Sequence, residues 1–315
     1  MKTRQLGNSD MHITLIGFGA WAIGGSGWAF AWGAQDDNHS IASIREGLDA
    51  GINWIDTAAV YGLGHSEQIV ARALEGAHNR PYIFTKCSLV WDEKRKISNC
   101  LKAESVRREC EDSLKRLKVD AIDLYQIHWA IPDAEIEEGW QTLAKLKEEG
   151  KVRFIGMSGT MPQLEDHIAM NVFDVFQVPY SIVEREHEDL IHKAARGGAG
   201  IVIRGGVARG VMVKEASVID EYPAFLQPAF HARRTLWQQS NVDDLLEGMT
   251  PMEFMLRFTI SNPDMSTTIV GTANPAHLLI NVNAAAKGSL PGDIYQEACK
   301  RFPKMAAEQY LNQLS

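Results

Sequence analysis

Cysteine is scarce in this chain of 315 residues, which contains four. No two of them show the Cys-x-x-Cys spacing that is typical of zinc sites and redox-active dithiols. A disulfide framework is not needed either, because 45% of the residues are hydrophobic and can form a large core. The sequence therefore predicts a protein with neither structural disulfides nor a bound metal.

Long apolar runs and an excess of positive charge are missing as well. No stretch approaches the ~18 apolar residues of a membrane-spanning helix, and the first residues lack the apolar core of a secretion signal. The formal net charge of −8 argues against nucleic acid or an anionic membrane as a partner. We therefore expect a soluble cytoplasmic protein that acts on a small molecule; the sequence assigns no oligomeric state.

Short strand-like apolar stretches alternate with segments whose apolar residues recur at helical spacing. This alternation predicts a parallel sheet, because parallel neighbours need a crossover connection. Eight such pairs in about 270 residues are typical of an α/β barrel, and we expect one domain over residues 1–315. The predicted strands are 13–18, 52–55, 82–85, 122–127, 154–157, 175–178, 201–203 and 267–270. The predicted helices are 37–49, 66–74, 104–117, 134–149, 162–169, 187–195, 251–261 and 275–286.

Three segments lie outside this repeat. Residues 2–13 contain two short extended pieces around a cluster of turn residues, which predicts a hairpin. Residues 209–249 are too many for a plain connection, and we interpret them as an active-site lid or a cofactor clamp. Residues 292–314 predict a terminal helix on the outside of the molecule.

Polar side chains stand where three of the predicted strands end. Asp56 follows the second strand, Lys86 the third and His128 the fourth, while Tyr61 lies on the loop after Asp56. Because strand ends are fixed points, side chains placed there can be held with the precision that catalysis requires. The sequence therefore predicts that these four residues form one catalytic group.

The four residues have the side chains that reduction of a carbonyl by a hydride would need. Transfer of a hydride to a carbonyl leaves an alkoxide, which a neighbouring acid must protonate. A free tyrosine, with a pKa near ~10, is a poor acid at neutral pH, and we expect Lys86 to lower the pKa of Tyr61. Asp56 would balance the charge of Lys86. His128 would donate a hydrogen bond to the substrate oxygen and orient it.

The sequence around Asp56 resembles that of a known family. Gly-Ile-Asn-Trp-Ile-Asp-Thr-Ala-Ala-Val-Tyr-Gly (51–62), followed by His65-Ser66-Glu67, is similar to the signature of the aldo-keto reductases. The similarity extends from Leu15 to Gly271. It implies a (β/α)8 TIM barrel with an N-terminal hairpin that plugs its bottom, an NADP(H) cofactor with NAD(H) as the alternative, and an aldehyde or ketone substrate. The catalytic residues of the family match Asp56, Tyr61, Lys86 and His128.

A second motif offers a rival fold. Gly17-Phe-Gly19-Ala-Trp-Ala22 matches the Gly-x-Gly-x-x-Ala pattern of dinucleotide-binding Rossmann folds, and Asp36 or Asp37 follows at the expected spacing. That motif must open directly into a helix, however, and residues 22–27 are too rich in glycine to form one. In the aldo-keto reductases the matching residues Gly19, Ala20 and Trp21 line the nicotinamide end of the site.

The resemblance also implies further contacts with the cofactor. Ser158 and Gln177 match residues that hold the nicotinamide amide, although Gly159 replaces an asparagine of the family. After the last strand an arginine of the family is missing at Ala273, so NADPH should be preferred over NADH by less than in relatives that have it. The other residues assigned to the cofactor by this resemblance are Asp56, Arg204, Gly205, Val207, Arg209, Gly210, Gly271, Thr272, Asn274, His277 and Asn281.

Arg204 is the largest departure from the family, which has an aromatic residue stacked on the nicotinamide at this position. A guanidinium is also planar, so Arg204 could stack there and, through its charge, favour the reduced cofactor over the cationic oxidised one. It could instead bind a carboxylate of the substrate. A salt bridge to an acidic residue of a loop is the third interpretation, and the sequence does not choose among them.

Four tryptophans are the candidates for the substrate pocket. Trp21 and Trp129 match pocket residues of the family, whereas Trp28 and Trp32 are assigned by proximity alone. A different function also fits the sequence, because the regulatory β subunits of potassium channels resemble this chain and keep the four catalytic residues. Such a protein would bind the cofactor, sense its redox state and turn over little.

Overall fold

A closed barrel of eight parallel strands forms the centre of the protein in the computed structural model. The model describes residues 1–304 except His78, Met161, Pro162, Lys214, Glu221, 223–225 and Ala273. The strands are β1 (Thr3–Gln5), β2 (His12–Thr14), β3 (Ile16–Gly19), β4 (Trp54–Asp56), β5 (Tyr82–Cys87), β6 (Leu89–Trp91), β7 (Ile97–Asn99), β8 (Ile122–Ile127), β9 (Val152–Ser158), β10 (Val175–Pro179), β11 (Gly200–Arg204) and β12 (Thr267–Gly271). Around the barrel the order is β3, β4, β5, β8, β9, β10, β11 and β12. This confirms the predicted (β/α)8 barrel.

Helices connect successive barrel strands and cover their outer faces. They are α1 (Asp37–Asp49), α2 (His65–Leu74), α3 (Ala103–Leu117), α4 (Ile136–Glu148), α5 (Gln163–Met170), α6 (Glu188–Arg196), α7 (Ala216–Ile219), α8 (Gln227–Gln239), α9 (Pro251–Ser261), α10 (Pro275–Ala286) and α11 (Gly292–Arg301). The side chain of Asp36 accepts a hydrogen bond from the backbone N–H of His39 at 2.9 Å and so caps the start of α1. None of the helices in the described part of the chain is long and apolar enough to cross a membrane.

The antiparallel hairpin of β1 and β2 closes the bottom of the barrel, as the family resemblance implied. Leu6 and Met11 are fully buried in one cluster with Trp54 and Phe84 from the barrel interior. Each such side chain contributes roughly 1.5–3 kcal/mol through burial. A Cβ atom on Gly17 would lie 2.0 Å from Trp54, so only glycine fits beside this indole. The bottom is therefore packed shut, and the chemistry is left to the opposite end.

The structure differs from the sequence predictions in a few segments. The first barrel strand begins at Ile16 rather than at residue 13, because His12–Thr14 pairs with β1 instead. Residues 89–99 form an unpredicted hairpin of β6 and β7. The described residues of the segment 209–249 are largely helical and include α7 and α8. The terminal helix is described only as Gly292–Arg301, and the remainder of the predicted one lies mostly outside the described residues, as does Pro162.

The Rossmann alternative is wrong. After β3 the chain forms a single turn of 3₁₀ helix at Ala22–Gly24 rather than a helix that opens directly from the strand. The barrel is also closed, with β3 paired to both β12 and β4, whereas a doubly wound Rossmann sheet is open. The Gly17-x-Gly19 pattern serves close packing within the barrel instead.

Candidate active site

The four predicted catalytic residues meet at the carboxyl end of the barrel. Asp56 is the last residue of β4, Lys86 lies in β5, and His128 directly follows β8. Tyr61 stands in a tight loop, where its backbone N–H donates to the carbonyl of Ala58 at 3.1 Å. The loop turns at Gly62, whose φ is +64° and where a Cβ atom would lie 2.0 Å from a carbonyl oxygen, so glycine is required there.

Lys86 and Asp56 form a buried ion pair beneath Tyr61. The Lys86 Nζ donates to Asp56 Oδ2 at 2.6 Å and to the carbonyl of Thr57 at 2.8 Å, and it lies 5.2 Å from the ring centroid of Tyr61. Burial lowers the pKa of Lys86, but Asp56 and Tyr61 together offset this, so the pKa lies above its usual value. Lys86 therefore stays a cation next to the phenol.

A pair of buried glutamines holds the other oxygen of Asp56. The Gln177 Nε2 donates to Asp56 Oδ1 at 2.8 Å, and the Gln126 Nε2 approaches the same oxygen at 3.4 Å. Gln177 also donates to Gln126 Oε1 at 3.3 Å. Sequence reasoning assigned Gln177 to the nicotinamide amide and missed Gln126. The sequence signal that could have identified Gln126 was its position two residues before His128. In the barrel it is paired in register with Lys86. In this structure both amides orient Asp56.

Tyr61 and His128 both have pKa values shifted by their surroundings. Burial raises the pKa of Tyr61, and this outweighs the opposite effect of Lys86. Lys86 lowers the pKa of Tyr61, as expected, but the apolar surroundings penalise the phenolate more than the ammonium stabilises it, so the pKa lies above its usual value. Burial, Lys86 and Arg204 hold the pKa of His128 well below 6.5. At neutral pH the site thus presents a phenol and a neutral imidazole, whose rings lie 5.6 Å apart.

Aromatic rings surround Tyr61 at the mouth of the barrel. The ring of Trp21 lies 6.4 Å from that of Tyr61 in a stacked arrangement, and the ring of Trp28 lies 6.1 Å from it. Trp32 packs edge-on against Trp21 at 5.2 Å. Trp129 is 39% exposed and lies 6.4 Å from the ring of His128. The four tryptophans assigned to the substrate pocket are thus brought to one place.

Two further aromatic residues that the sequence did not single out complete this wall. Phe30 contacts both Trp28 and Trp129, at 6.0 and 5.6 Å between ring centroids. Tyr222 packs edge-on against Trp32 at 5.4 Å. Tyr222 belongs to the segment that we interpreted as a lid or clamp, so this segment reaches the mouth of the barrel.

Most residues assigned to the cofactor lie near the carboxyl ends of β3 and β9–β12, beside the catalytic group. Ser158 ends β9 and is 3% exposed, and its hydroxyl makes no side-chain hydrogen bond within the described residues. Arg204 ends β11 and donates from Nη2 to the carbonyl of Gly159 at 3.4 Å. Gly19 is the last residue of β3, and Ala20 and Trp21 come directly after it. Four further candidates follow β11: Gly205, Val207, Arg209 and Gly210.

The start of α10 carries the remaining cofactor candidates. The Asn274 side chain accepts from the N–H of Ala276 at 2.9 Å and caps the helix, and Thr272 Oγ1 accepts from the N–H of Asn274 at 3.0 Å. Asn281 donates to the carbonyl of His277 at 2.9 Å, one turn further along. Gly271 ends β12, and Ala273 lies outside the described residues. The start of α10 is a helix N-terminus, whose dipole favours an anion such as a phosphate.

Arg209 lies deep in the same region, in an uncommon setting. Its guanidinium lies over the rings of Trp21 and Phe230, at 5.2 and 5.3 Å from their centroids. Burial, Arg233 and Arg204 lower the pKa of Arg209 to about 10.

Within the described residues, no group of three or more His, Cys, Asp or Glu side chains is placed to hold a metal ion.

Comparison with known proteins identifies the family of this chain. The model of the aldo/keto reductase family matches residues 15–298. The chain is 31% identical to aldo-keto reductase YhdN of Bacillus subtilis over 88% of this chain and 87% of that one. It is 30% identical to the NADH-specific methylglyoxal reductase of Escherichia coli, over 90% and 93%. The solved glycerol dehydrogenase AKR11B4 of Gluconobacter oxydans superposes with a TM-score of 0.79 at 31% identity, covering 96% of each chain. This chain therefore belongs to the aldo/keto reductase family of oxidoreductases.

Proposed function

We propose that this protein reduces aldehydes or ketones to alcohols with a nicotinamide cofactor, and that Tyr61 donates the proton. The observation that carries the proposal is the buried Lys86–Asp56 ion pair, set against the Tyr61 phenol with a neutral His128 beside it. When bound, the reduced nicotinamide supplies the hydride. The residues of this chain then have to orient the carbonyl and protonate the oxygen.

Each catalytic residue has one role in this proposal. Tyr61 donates its hydroxyl proton to the carbonyl oxygen as charge develops there. Lys86 stabilises the phenolate that remains, and its own charge is balanced by Asp56. The neutral His128 donates an N–H to the carbonyl oxygen and fixes its position. Alcohol oxidation is the same sequence of proton transfers in reverse.

The residues around the catalytic group fit a dinucleotide. The Ser158 hydroxyl is buried at the end of β9 without a side-chain hydrogen bond among the described residues, so it can bind the amide of a nicotinamide. Gln177 is the second candidate for that amide, although its Nε2 is engaged by Asp56. The helix start at Thr272 and Asn274, with His277 and Asn281 in the next turn, would receive the adenosine phosphates. These assignments are part of the proposal.

NADPH is the preferred cofactor in this proposal, by a margin smaller than in relatives that have an arginine at the position of Ala273. The E. coli relative named as NADH-specific makes NADH the direct competitor. Titration of the protein fluorescence with NADPH and with NADH measures the preference. Equal or tighter binding of NADH would show that NADP is the wrong assignment.

Turnover on a panel of aldehydes and ketones tests the activity itself, with oxidation of NADPH and NADH followed at 340 nm. Tyr61→Phe should lower carbonyl reduction by at least about 10²-fold, the typical contribution of a general acid. It should leave the affinity for NADPH nearly unchanged, because the ring remains. Unchanged turnover in Tyr61→Phe would refute the role of this residue. Tight NADPH binding without turnover on any carbonyl would favour a redox-sensing regulatory subunit.

A further inference from the structure

Two arginines face the catalytic group from the chain that follows β11. The charge of Arg204 lowers the pKa of both Tyr61 and His128, and the phenol of Tyr61 in turn acts on Arg209. Both guanidinium groups therefore lie within electrostatic reach of the place where a carbonyl would be reduced. The catalytic mechanism proposed above uses neither of them.

The positive charge of Arg209 is not balanced by a carboxylate. Within the part of the chain that the structure describes, its guanidinium makes no hydrogen bond and no ion pair, and it lies over the rings of Trp21 and Phe230. The acid that acts on it most is Glu184, which is already paired with Arg233. Burying an unpaired guanidinium is unfavourable, and an anion bound beside it would offset this cost.

The position of Arg209 places that anion on the side of the substrate. Arg209 lies over Trp21, and Trp21 is stacked on Tyr61 at 6.4 Å between ring centroids. Arg204 reaches toward Gly159 from the neighbouring strand end. Arg209 and Tyr61 thus pack against the same indole ring, and Arg204 lies near enough to Arg209 to lower its pKa.

We infer that Arg204 and Arg209 form an anion subsite beside Tyr61, and that the preferred substrates are carbonyl compounds that carry a carboxylate group. The inference rests on the proposed function for the carbonyl and on the charge distribution for the carboxylate. A guanidinium binds a carboxylate through two parallel hydrogen bonds, a geometry that an ester cannot accept with equal strength. The diphosphate of the cofactor is the other anion that could bind here, and the experiment separates the two.

The test compares 4-formylbenzoate with its neutral methyl ester, which has the same ring and the same aldehyde. For wild-type protein the ratio of kcat/KM values should favour the carboxylate by at least about 10-fold, the usual effect of a charge-assisted hydrogen bond. Arg209→Gln and Arg204→Gln should each reduce this ratio by about 10-fold. The matched control is Arg72→Gln on α2, which removes one positive charge from an exposed ion pair with Asp37 and should keep the ratio.

A binding measurement keeps this inference separate from the proposed reaction. Calorimetric titration should show benzoate binding at least about 10-fold more tightly than benzamide, and Arg209→Gln should abolish the difference. If benzoate binds in this way and neither aldehyde is reduced, the subsite stands and the proposed reaction fails. Should Arg209→Gln not fold, Arg204→Gln gives the same readouts; Arg209→Lys, which keeps the charge but loses the planar fork, should keep part of the preference for benzoate.

Three results would overturn the inference. The first is a wild-type ratio near one for the two aldehydes, and the second is equal affinity for benzoate and benzamide. The third is an Arg209→Gln variant that binds NADPH at least about 10-fold more weakly and keeps the wild-type ratio. In that case Arg209 binds the diphosphate of the cofactor, as the family resemblance implied.

Discussion

Removal of one partner of the Lys86–Asp56 ion pair should destabilise the protein far more than removal of both. The side chains are 0% and 4% exposed, and the Nζ–Oδ2 distance is 2.6 Å. Lys86→Met leaves Asp56 as a buried anion that keeps only its amide donors, Gln177 at 2.8 Å and Gln126 at 3.4 Å. Asp56→Asn leaves a buried ammonium with the carbonyl of Thr57 as its strongest remaining acceptor.

The expected magnitude follows from the distance and the burial. Two unit charges 2.6 Å apart attract by about 6 kcal/mol at an effective dielectric constant of 20. Much of this attraction offsets the desolvation of the two ions, so the pair itself stabilises the fold little. A broken buried pair, by contrast, typically costs about 3–5 kcal/mol. We therefore expect each single variant to lose about that much stability, and the double variant Lys86→Met/Asp56→Asn to lose much less than the sum.

Urea unfolding of the four proteins at pH 7.5 measures this coupling as a double-mutant cycle. The coupling free energy should be at least about 2 kcal/mol. A parallel cycle on the Lys118–Glu75 pair is the control, because its N–O distance is 2.7 Å but both side chains are more than half exposed. That cycle should show a much smaller coupling. Additive effects at Lys86 and Asp56, within about 0.5 kcal/mol, would refute the argument from burial.

Two further predictions concern pH. Because the pKa of Tyr61 is raised above 10 and that of His128 lies well below 6.5, kcat/KM for reduction should stay level between about pH 6.5 and 9.5 in steady-state assays; an inflection near pH 7 would contradict the two protonation states. Burial raises the pKa of the Glu109 carboxyl to about 7. The buried carboxylate therefore destabilises the folded protein. This destabilisation is absent below about pH 4.5 and complete above about pH 7. In urea unfolding, the stability of Glu109→Gln relative to wild type should therefore increase by about 2 kcal/mol between pH 5.5 and pH 8. A stability difference that does not change with pH would refute the raised pKa of Glu109.

Helix and strand bounds were predicted well where the sequence carries local signals. The bounds of α1, β8 and α9 coincide with the predicted ones, and α1 has a capping aspartate at its start. The hairpin of β6 and β7 was missed because its strands have three residues each, too few for an alternating pattern. The helix α8 was missed because only Phe230 and Trp237 of its side chains are buried, which leaves a weak periodicity.

The catalytic group could be expected from the sequence because all parallel strands of a barrel end at the same rim. Asp56, Lys86 and His128 stand at or directly after strand ends, so their convergence follows from the topology alone. The glutamine layer could not be expected in the same way. Gln126 and Gln177 meet Asp56 across the barrel interior, and contacts between strands that are not neighbours depend on how the barrel closes.

The electrostatic state of the site is the feature that could least be predicted from the sequence. Whether the pKa of Tyr61 lies above or below its usual value depends on a balance between burial of the phenol and the Lys86 ammonium, and burial prevails. The same holds for Arg209, which follows β11 by five residues and could have pointed to solvent. Its place between Trp21 and Phe230 depends on α8, an element that the sequence did not predict. The buried charge of Arg209 therefore could not be predicted from the sequence, because it depends on how Trp21 and Phe230 pack in the folded protein.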